Sequence, residues 1–209
     1  MQTIMITGCS SGFGLETARY FLEQGWKVIA TMRAPQEGLL PASDRLRLVR
    51  LDVTSAQSIA EAIAEAGEID VLVNNAGVGM LNALEGASRE AIANLFATNT
   101  LGTIAMTQAM IPRFRARRSG TIVNITSAVT LQPMPLLAVY TASKAAVNAF
   151  TESLALELRA FNIRVGLILP GRARRPGSGK TPAGRWGSSR RAMRRSASRS
   201  STACRITPA

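Results

Sequence analysis

Short apolar runs recur along this chain, and most are followed by a longer stretch whose apolar residues repeat with helical spacing. The runs lie at 3–7 (TIMIT), 26–32 (WKVIATM), 46–51 (LRLVRL), 69–73 (IDVLV), 121–125 (TIVNI) and 162–169 (NIRVGLIL). They are too short for helices and predict strands, of buried type where the run is continuously apolar, as at 26–32. Between them, Leu15, Ala18, Phe21 and Leu22 mark one helix, and Ile59, Ala60, Ile63 and Ala64 mark another that stops at Gly67. Ile92, Leu95, Phe96, Ile104 and Met110 mark a long helical stretch over 88–118, and the Ala/Leu-rich segment from Ala145 to Leu158 marks the last. Strands that alternate with helices imply an α/β fold with a doubly wound parallel sheet of six strands, its site at the C-terminal ends of the strands.

Local exceptions to the pattern carry information. Thr54 or Ser55 is placed to cap the second helix. Asn99 and Gly102 fall inside the long helical stretch, with Pro112 near its end. Asn is a poor mid-helix residue, and Gly costs about 1 kcal/mol there relative to Ala. These positions predict a bend or a functional side chain, with a tolerated surface Asn as the plain alternative.

The first strand runs into Gly8-Cys9-Ser10-Ser11-Gly12-Phe13-Gly14 and then a helix. Glycines are needed where backbone turns sharply and lies against a ligand with no Cβ between them. The helix start aims free N–H groups and the positive end of its dipole at that loop, which suits a pyrophosphate. Strand, glycine loop and helix together are the context a dinucleotide motif requires, and they make the sheet Rossmann-like. The second strand ends at Arg33 with no acidic residue in place. An acid there binds an adenosine ribose, whereas Arg accommodates a 2′-phosphate, so the strand end favours NADP over NAD; a surface cation is the plain alternative. Asp52 admits two readings, a carboxylate at the adenine edge or a turn residue. Asn74-Asn75-Ala76-Gly77 closes the fourth strand with residues that let a cofactor lie close, or that simply make a turn.

Tyr140 and Lys144 stand four apart, one above the other on a helix. A phenol titrates near about 10 and exchanges protons poorly at neutral pH, but an adjacent ammonium favours the phenolate. Ser127, at the end of the fifth strand, is placed to hold a carbonyl oxygen while Tyr140 donates the proton. A helix-surface Tyr with a solvated Lys is the plain alternative.

Composition narrows the classes. The chain has 209 residues and 46% apolar content, enough for one domain with a sizeable core. It has no His, and its two cysteines, Cys9 and Cys204, lie at opposite ends. That excludes a disulfide framework, a zinc site and a Ser-His-Asp triad. There is no signal-peptide layout and no apolar stretch near the roughly 20 residues of a membrane span, so a soluble cytoplasmic protein is expected. The net charge of +12 is unevenly placed. Residues 1–171 hold 14 Lys/Arg against 13 Asp/Glu, leaving 11 of the 25 basic residues, and no acid, in 172–209. The folded part gives no electrostatic argument for nucleic acid.

Taken in order and spacing, the loop from Thr7 to Gly14, Asn74–Gly77, Asn99, Ser127, Tyr140-x-x-x-Lys144 and Pro170-Gly171 resemble the short-chain dehydrogenase/reductase family over residues 1–171. The resemblance implies hydride transfer between NAD(P)(H) and an alcohol/carbonyl pair. It implies Tyr140 as general acid/base and Ser127 as carbonyl orienter. Lys144 would assist Tyr140 and bind the nicotinamide ribose, and Asn99 would hold a water on a proton path from Lys144. The cofactor would lie on Gly8, Ser10, Ser11, Gly12, Phe13, Gly14, Arg33, Asp52, Asn75, Ala76, Gly77, Tyr140, Lys144, Pro170 and Gly171. The loop is similar to that of NADP-preferring members related to hydroxysteroid and retinol dehydrogenases, with Ser11 and Arg33 sharing the 2′-phosphate. The resemblance also implies a homo-oligomer built through 88–118 and 140–160, a small-molecule alcohol, ketone or aldehyde as substrate, and no membrane partner.

After Gly171 the pattern changes. Where family members continue with a lid and a seventh strand, residues 172–209 are rich in Arg, Ser, Ala and Gly, a low-complexity basic tail expected to be disordered. The abrupt loss of acids and of apolar periodicity fits an out-of-frame reading of a GC-rich gene. Without lid and seventh strand, poor turnover is expected. The competing reading is a catalytically inactive binding protein whose basic tail gives non-specific nucleic-acid affinity.

Overall fold

The computed structural model describes residues 1–171. The expectations of a disordered basic tail, a missing lid and a missing seventh strand lie outside the described residues. In chain order the elements are β1 (Thr3–Thr7), α1 (Gly12–Glu23), β2 (Lys27–Met32), β3 (Leu46–Arg50), α2 (Ala56–Ala66), β4 (Val71–Asn74), α3 (Arg89–Phe96), α4 (Gly102–Arg117), β5 (Gly120–Ile125), α5 (Ala138–Leu158) and β6 (Ile163–Ile168). The strands form one sheet of order β3-β2-β1-β4-β5-β6, every pair parallel. This is the doubly wound, Rossmann-like sheet that the alternation of runs predicts. The order reverses between β1 and β4, the place where such sheets open a ligand crevice.

Side chains alternate across the sheet. Met5, Ile29, Leu72 and Ile122 face α2, α4 and α5, packing against Ile59, Ile63, Met106, Met110, Phe114 and Leu154. Ile4, Ile6, Val28, Ala30 and Val73 face α1 and pack on Ala18 and Leu22. Burial on both faces explains why β1, β2 and β4 read as nearly unbroken apolar runs, whereas the edge strands β3 and β6 are part exposed and carry Arg47, Arg50 and Arg164.

Boundaries differ from the sequence reading where a turn residue intervenes. The reading began the last strand at Asn162, which instead takes a left-handed φ of 57° and donates to Arg118 O at 3.1 Å; β6 starts one residue later. Trp26 packs edge-on against Phe21 and precedes β2. Ser55 is the cap of α2, its hydroxyl accepting from Ser58 N–H at 3.2 Å. The stretch 88–118 is two helices, α3 and α4, joined by a π-helical turn over Ala97–Leu101 that contains Asn99. Gly102 begins α4 against α2's approach, where a Cβ would stand 2.7 Å from Val53 Cγ2.

One polar feature crosses this apolar interior. Asn74 Nδ2 donates to Thr107 Oγ1 at 2.9 Å and to Asn124 Oδ1 at 2.8 Å. Asn124 Nδ2 in turn donates to Thr151 Oγ1 at 2.8 Å. This buried ladder ties β4 and β5 to α4 and α5.

Candidate active site

The C-terminal ends of β1 and β4 are stitched together. Thr7 Oγ1 accepts from the N–H groups of Asn75 and Ala76 at 3.0 and 2.9 Å. Asn75 Nδ2 donates to Thr7 O at 2.8 Å and Gly8 O at 3.1 Å. Gly8 has φ +74°, and a Cβ on it would come within 2.8 Å of Ala76 Cα, so only glycine allows this approach. Gly12 has φ +59° and open space on its Cβ side. Ser11 is the N-cap of α1 but makes no side-chain cap bond, so the first amides of the helix are left without a side-chain acceptor. Gly14 is buried, and a Cβ there would overlap Gly8 O and Asn75 Nδ2.

A cleft of about 860 Å³ opens over these strand ends. Gly8, Ser10, Ser11, Gly12, Phe13, Asn75, Ala76 and Gly77 line one part of it, Arg33 and Asp52 another, and Ser127, Tyr140, Lys144, Pro170 and Gly171 a third. Of the residues singled out in the sequence, Asn74, Gly14 and Asn99 do not line it, Asn74 being committed to the buried ladder. Gly14 sits behind the loop and lets α1 pack against it. Asn99 is fully buried beneath the cleft wall.

At the Arg33 end, Asp52 Oδ1 accepts from Thr54 N–H at 2.9 Å and Thr54 Oγ1 at 2.7 Å. The Thr54 amide first, then its hydroxyl, with Arg33 and Arg50 adding charge, hold the Asp52 carboxyl below the usual carboxylate range against a small opposing effect of burial. Asp52 is thus a turn residue by its bonds while also standing on the cleft. Arg33 is exposed.

At the other end, α5 begins only two residues before Tyr140, so the phenol belongs to its first turn and Lys144 to its second. Lys144 is 5% exposed, and its Nζ donates to Ile125 O at 2.9 Å, bridging α5 to the end of β5. Burial pulls the ammonium from 10.5 down to about 8. At neutral pH it therefore still carries its proton. Ser127 follows β5 and starts a short 3-10 turn, its Oγ accepting weakly from Val129 N–H at 3.4 Å.

Asn99 resolves the anomaly within the long helical stretch. Its Oδ1 accepts from Val78 N–H at 2.8 Å, and its Nδ2 donates to Val78 O at 2.9 Å and to Ser143 Oγ at 3.2 Å. Ser143 Oγ donates in turn to the backbone carbonyl of Tyr140 at 2.7 Å. Sequence reasoning gave no role to Thr7 or Ser143. A Thr closing an apolar strand was the available signal for the first; the second carried none, since its partner is 44 positions away.

Cys9 lies inside the loop yet is inert. It is buried, its thiol donates to Ile6 O at 3.2 Å, and burial pushes it from 9.0 up to about 12. Among the described residues no cluster of metal-ligating side chains occurs, and no helix is long and apolar enough to cross a membrane.

This geometry can be set beside known proteins. The family model for short chain dehydrogenase matches residues 2–183. The chain belongs to the short-chain dehydrogenase family. It is 42% identical over 182 residues to retinol dehydrogenase 8 of Bos taurus, covering 81% of this chain and 58% of the relative. It is also 42% identical over 174 residues to the 3-ketodihydrosphingosine reductase of Bacteroides thetaiotaomicron, covering 81% and 63%. The chain thus spans about three-fifths of the length of these curated relatives. Among solved short-chain dehydrogenases, the closed form of a serine dehydrogenase complexed with NADP+ aligns with TM-score 0.76 and 36% identity over 81% of this chain and 72% of that one. The 3-ketoacyl-(acyl-carrier-protein) reductase of Brucella melitensis complexed with NADH aligns with TM-score 0.76 and 30% identity over 81% and 75%.

Proposed function

We propose that this short-chain dehydrogenase fold carries an NADP-linked oxidoreductase site for an alcohol/carbonyl pair, with Tyr140 as general acid/base. The observation that carries the reading is that Ser127, Tyr140 and Lys144 line the same cleft as the glycine loop. The residues fit a dinucleotide: the space over Gly12 is open, the start of α1 has no side-chain cap, and a cleft of about 860 Å³ runs from Arg33 to Tyr140. The uncapped amides of α1 and Gly12 would hold a pyrophosphate. Ser11 and Arg33 would hold a 2′-phosphate, and Asp52 would meet the adenine edge. Ala76, Gly77, Pro170 and Gly171 would wall the nicotinamide, with Lys144 on its ribose. A reduced nicotinamide bound there supplies the hydride.

The chain's own residues do the remainder. Ser127 Oγ donates to the substrate oxygen and fixes its direction. Tyr140 Oη gives that oxygen its proton as negative charge builds on it. Lys144 brings a positive charge to this end of the cleft, where negative charge builds during the reaction. Asn99 would complete a proton path from Lys144 through a water that donates to the spare lone pair of its Oδ1, since both Nδ2 hydrogens are committed to Val78 O and Ser143 Oγ.

The substrate end favours an apolar alcohol, ketone or aldehyde. Val78 is 42% exposed, Leu81 72%, Met134 53% and Leu136 51%, and they sit on the two segments that flank the site. Those segments are joined where Asn82 N–H donates to Leu136 O at 2.9 Å. The names of the two curated relatives also speak of bulky apolar substrates. A homo-oligomer through residues 88–118 and 140–160 belongs to the same proposal; Leu101 and Leu156, within those stretches, are exposed at 60% and 75%.

The test is NADPH oxidation by the purified chain on a panel of apolar ketones and aldehydes. Tyr140→Phe should lower kcat by roughly 10²- to 10⁴-fold while NADPH binding, followed by fluorescence, persists. A Phe variant as active as the parent sinks the role of Tyr140. NADPH binding with no turnover by the parent would reduce the chain to a nucleotide-binding scaffold.

A further inference from the structure

The residue that orients the substrate in the proposed reaction, Ser127, sits in a turn held by a side chain two helical turns beyond Tyr140. Thr130 Oγ1 donates to Ser127 O at 2.8 Å, and Thr130 N–H donates to the same carbonyl at 3.1 Å. Asn148 Nδ2 on α5 donates to Thr130 Oγ1 at 2.9 Å. Because the Thr130 hydroxyl proton is committed to Ser127 O, the hydroxyl can only accept from α5, and Asn148 must present its N–H there. Asn148 Oδ1 is left buried with no hydrogen-bond partner. An orphaned buried carbonyl is destabilising, and apolar packing alone gives no reason to retain it. The opposite side of the turn is fixed by Ala128 N–H, which donates to Pro170 O at 3.1 Å.

We propose that Asn148 and Thr130 are positioning residues for Ser127: the chain of donors from α5 sets the Ser127 hydroxyl against Tyr140, which rides on the same helix. One rigid element thereby places both groups that meet the substrate oxygen. The inference rests on the role given to Ser127 above.

Two measurements test it on the full chain. Native-state hydrogen exchange needs no turnover. Asn148→Ala should speed exchange of the Thr130 amide roughly tenfold, the worth of one net hydrogen bond, with the β4 and β5 amides unchanged. Asn148→Asp, nearly the same size, should disturb the turn more than Ala, because a carboxylate accepts the Thr130 proton and draws it off Ser127 O. A space-filling role predicts the reverse order.

In steady-state assays, Asn148→Ala and Thr130→Val should each lower kcat roughly five- to tenfold with NADPH affinity unchanged. The double variant should be no worse than the poorer single, since both act through one chain. Unchanged exchange at Thr130, Asp milder than Ala, or additive losses in kcat would each overturn the proposal. If the parent binds NADPH but does not turn over, the catalytic reading fails while exchange still decides whether α5 holds the Ser127 turn.

Discussion

Asn99 and Val78 form a closed two-bond clasp: the side-chain amide of one accepts from and donates to the backbone of the other, at 2.8 and 2.9 Å. Through it the π-helical turn grips the segment that leaves β4 and walls the cleft. Asn99→Ala removes both partners at once from part-buried backbone groups. The expected loss is about 2–4 kcal/mol of unfolding free energy, one to two per orphaned group, read as a lower urea midpoint at unchanged slope. A loss below about 0.5 kcal/mol, the range of an ordinary surface change, would show that water replaces the clasp.

Lys144 makes a pH prediction whose sign is opposite to the usual salt-bridged lysine. Its folded value of about 8 lies below its unfolded 10.5, so the folded state loses this proton first. Below about 8 the charged form is buried at full cost. As pH rises from there toward 10.5 that cost is relieved and stability increases, by about 3 kcal/mol at most. Cys9 opposes it: folded at about 12 against 9.0 unfolded, it removes stability as pH climbs past 9.0. The net gain should therefore be confined to pH 8 to 9. Denaturation midpoints of the unliganded chain should rise over that interval and stay flat in Lys144→Met.

The loop glycines separate into two classes. Gly14→Ala drives a Cβ into Gly8 O and Asn75 Nδ2, so it should lower stability by about 1–3 kcal/mol or more. Gly12→Ala meets open space and bears only the left-handed φ, about 1 kcal/mol. Its effect should fall on NADPH affinity instead. Thermal melts with NADPH titrations distinguish them, and equal melting temperatures for the two variants would contradict the assignment.

The proposed preference for NADP rests on Arg33. A guanidinium bonded to a 2′-phosphate is a charge-assisted contact, so Arg33→Ala should weaken NADPH by roughly 10- to 100-fold and leave NADH nearly untouched. Parallel loss of both would make Arg33 a general surface cation.

The architecture was legible because central strands buried on both faces leave continuous apolar runs, and those at 3–7 and 69–73 needed no partner to be recognised, although β4 itself runs from Val71 to Asn74. The glycine loop and Tyr140–Lys144 were legible because their spacing is local. Asn99 announced itself as an unsuitable helix residue, and the π turn is the reason. Gly14 looked like its neighbours in the loop, yet its space is filled by Gly8 and Asn75, a contact that spacing cannot show. Ser143, Thr130 and Asn148 gave no signal, since each reads as an ordinary polar residue until its distant partner is known. Asp52 is tied by Thr54 and also lines the cleft, so its bonds make it a turn residue while the adenine edge stays a proposal.

The ladder from Thr107 through Asn74 and Asn124 to Thr151 has a consequence for how such a chain finds its alignment. Shift β4 by one residue along β5 and Asn74 turns to the far side, so its links to Thr107 and Asn124 are lost together while Asn124–Thr151 stays in place. Apolar neighbours such as Leu72 and Val73 would tolerate that slip far better, being similar in shape and indifferent to direction. The amides thus act as a key cut into an otherwise greasy lock, since only one alignment of β4 on β5 sets Asn74 against both Thr107 and Asn124.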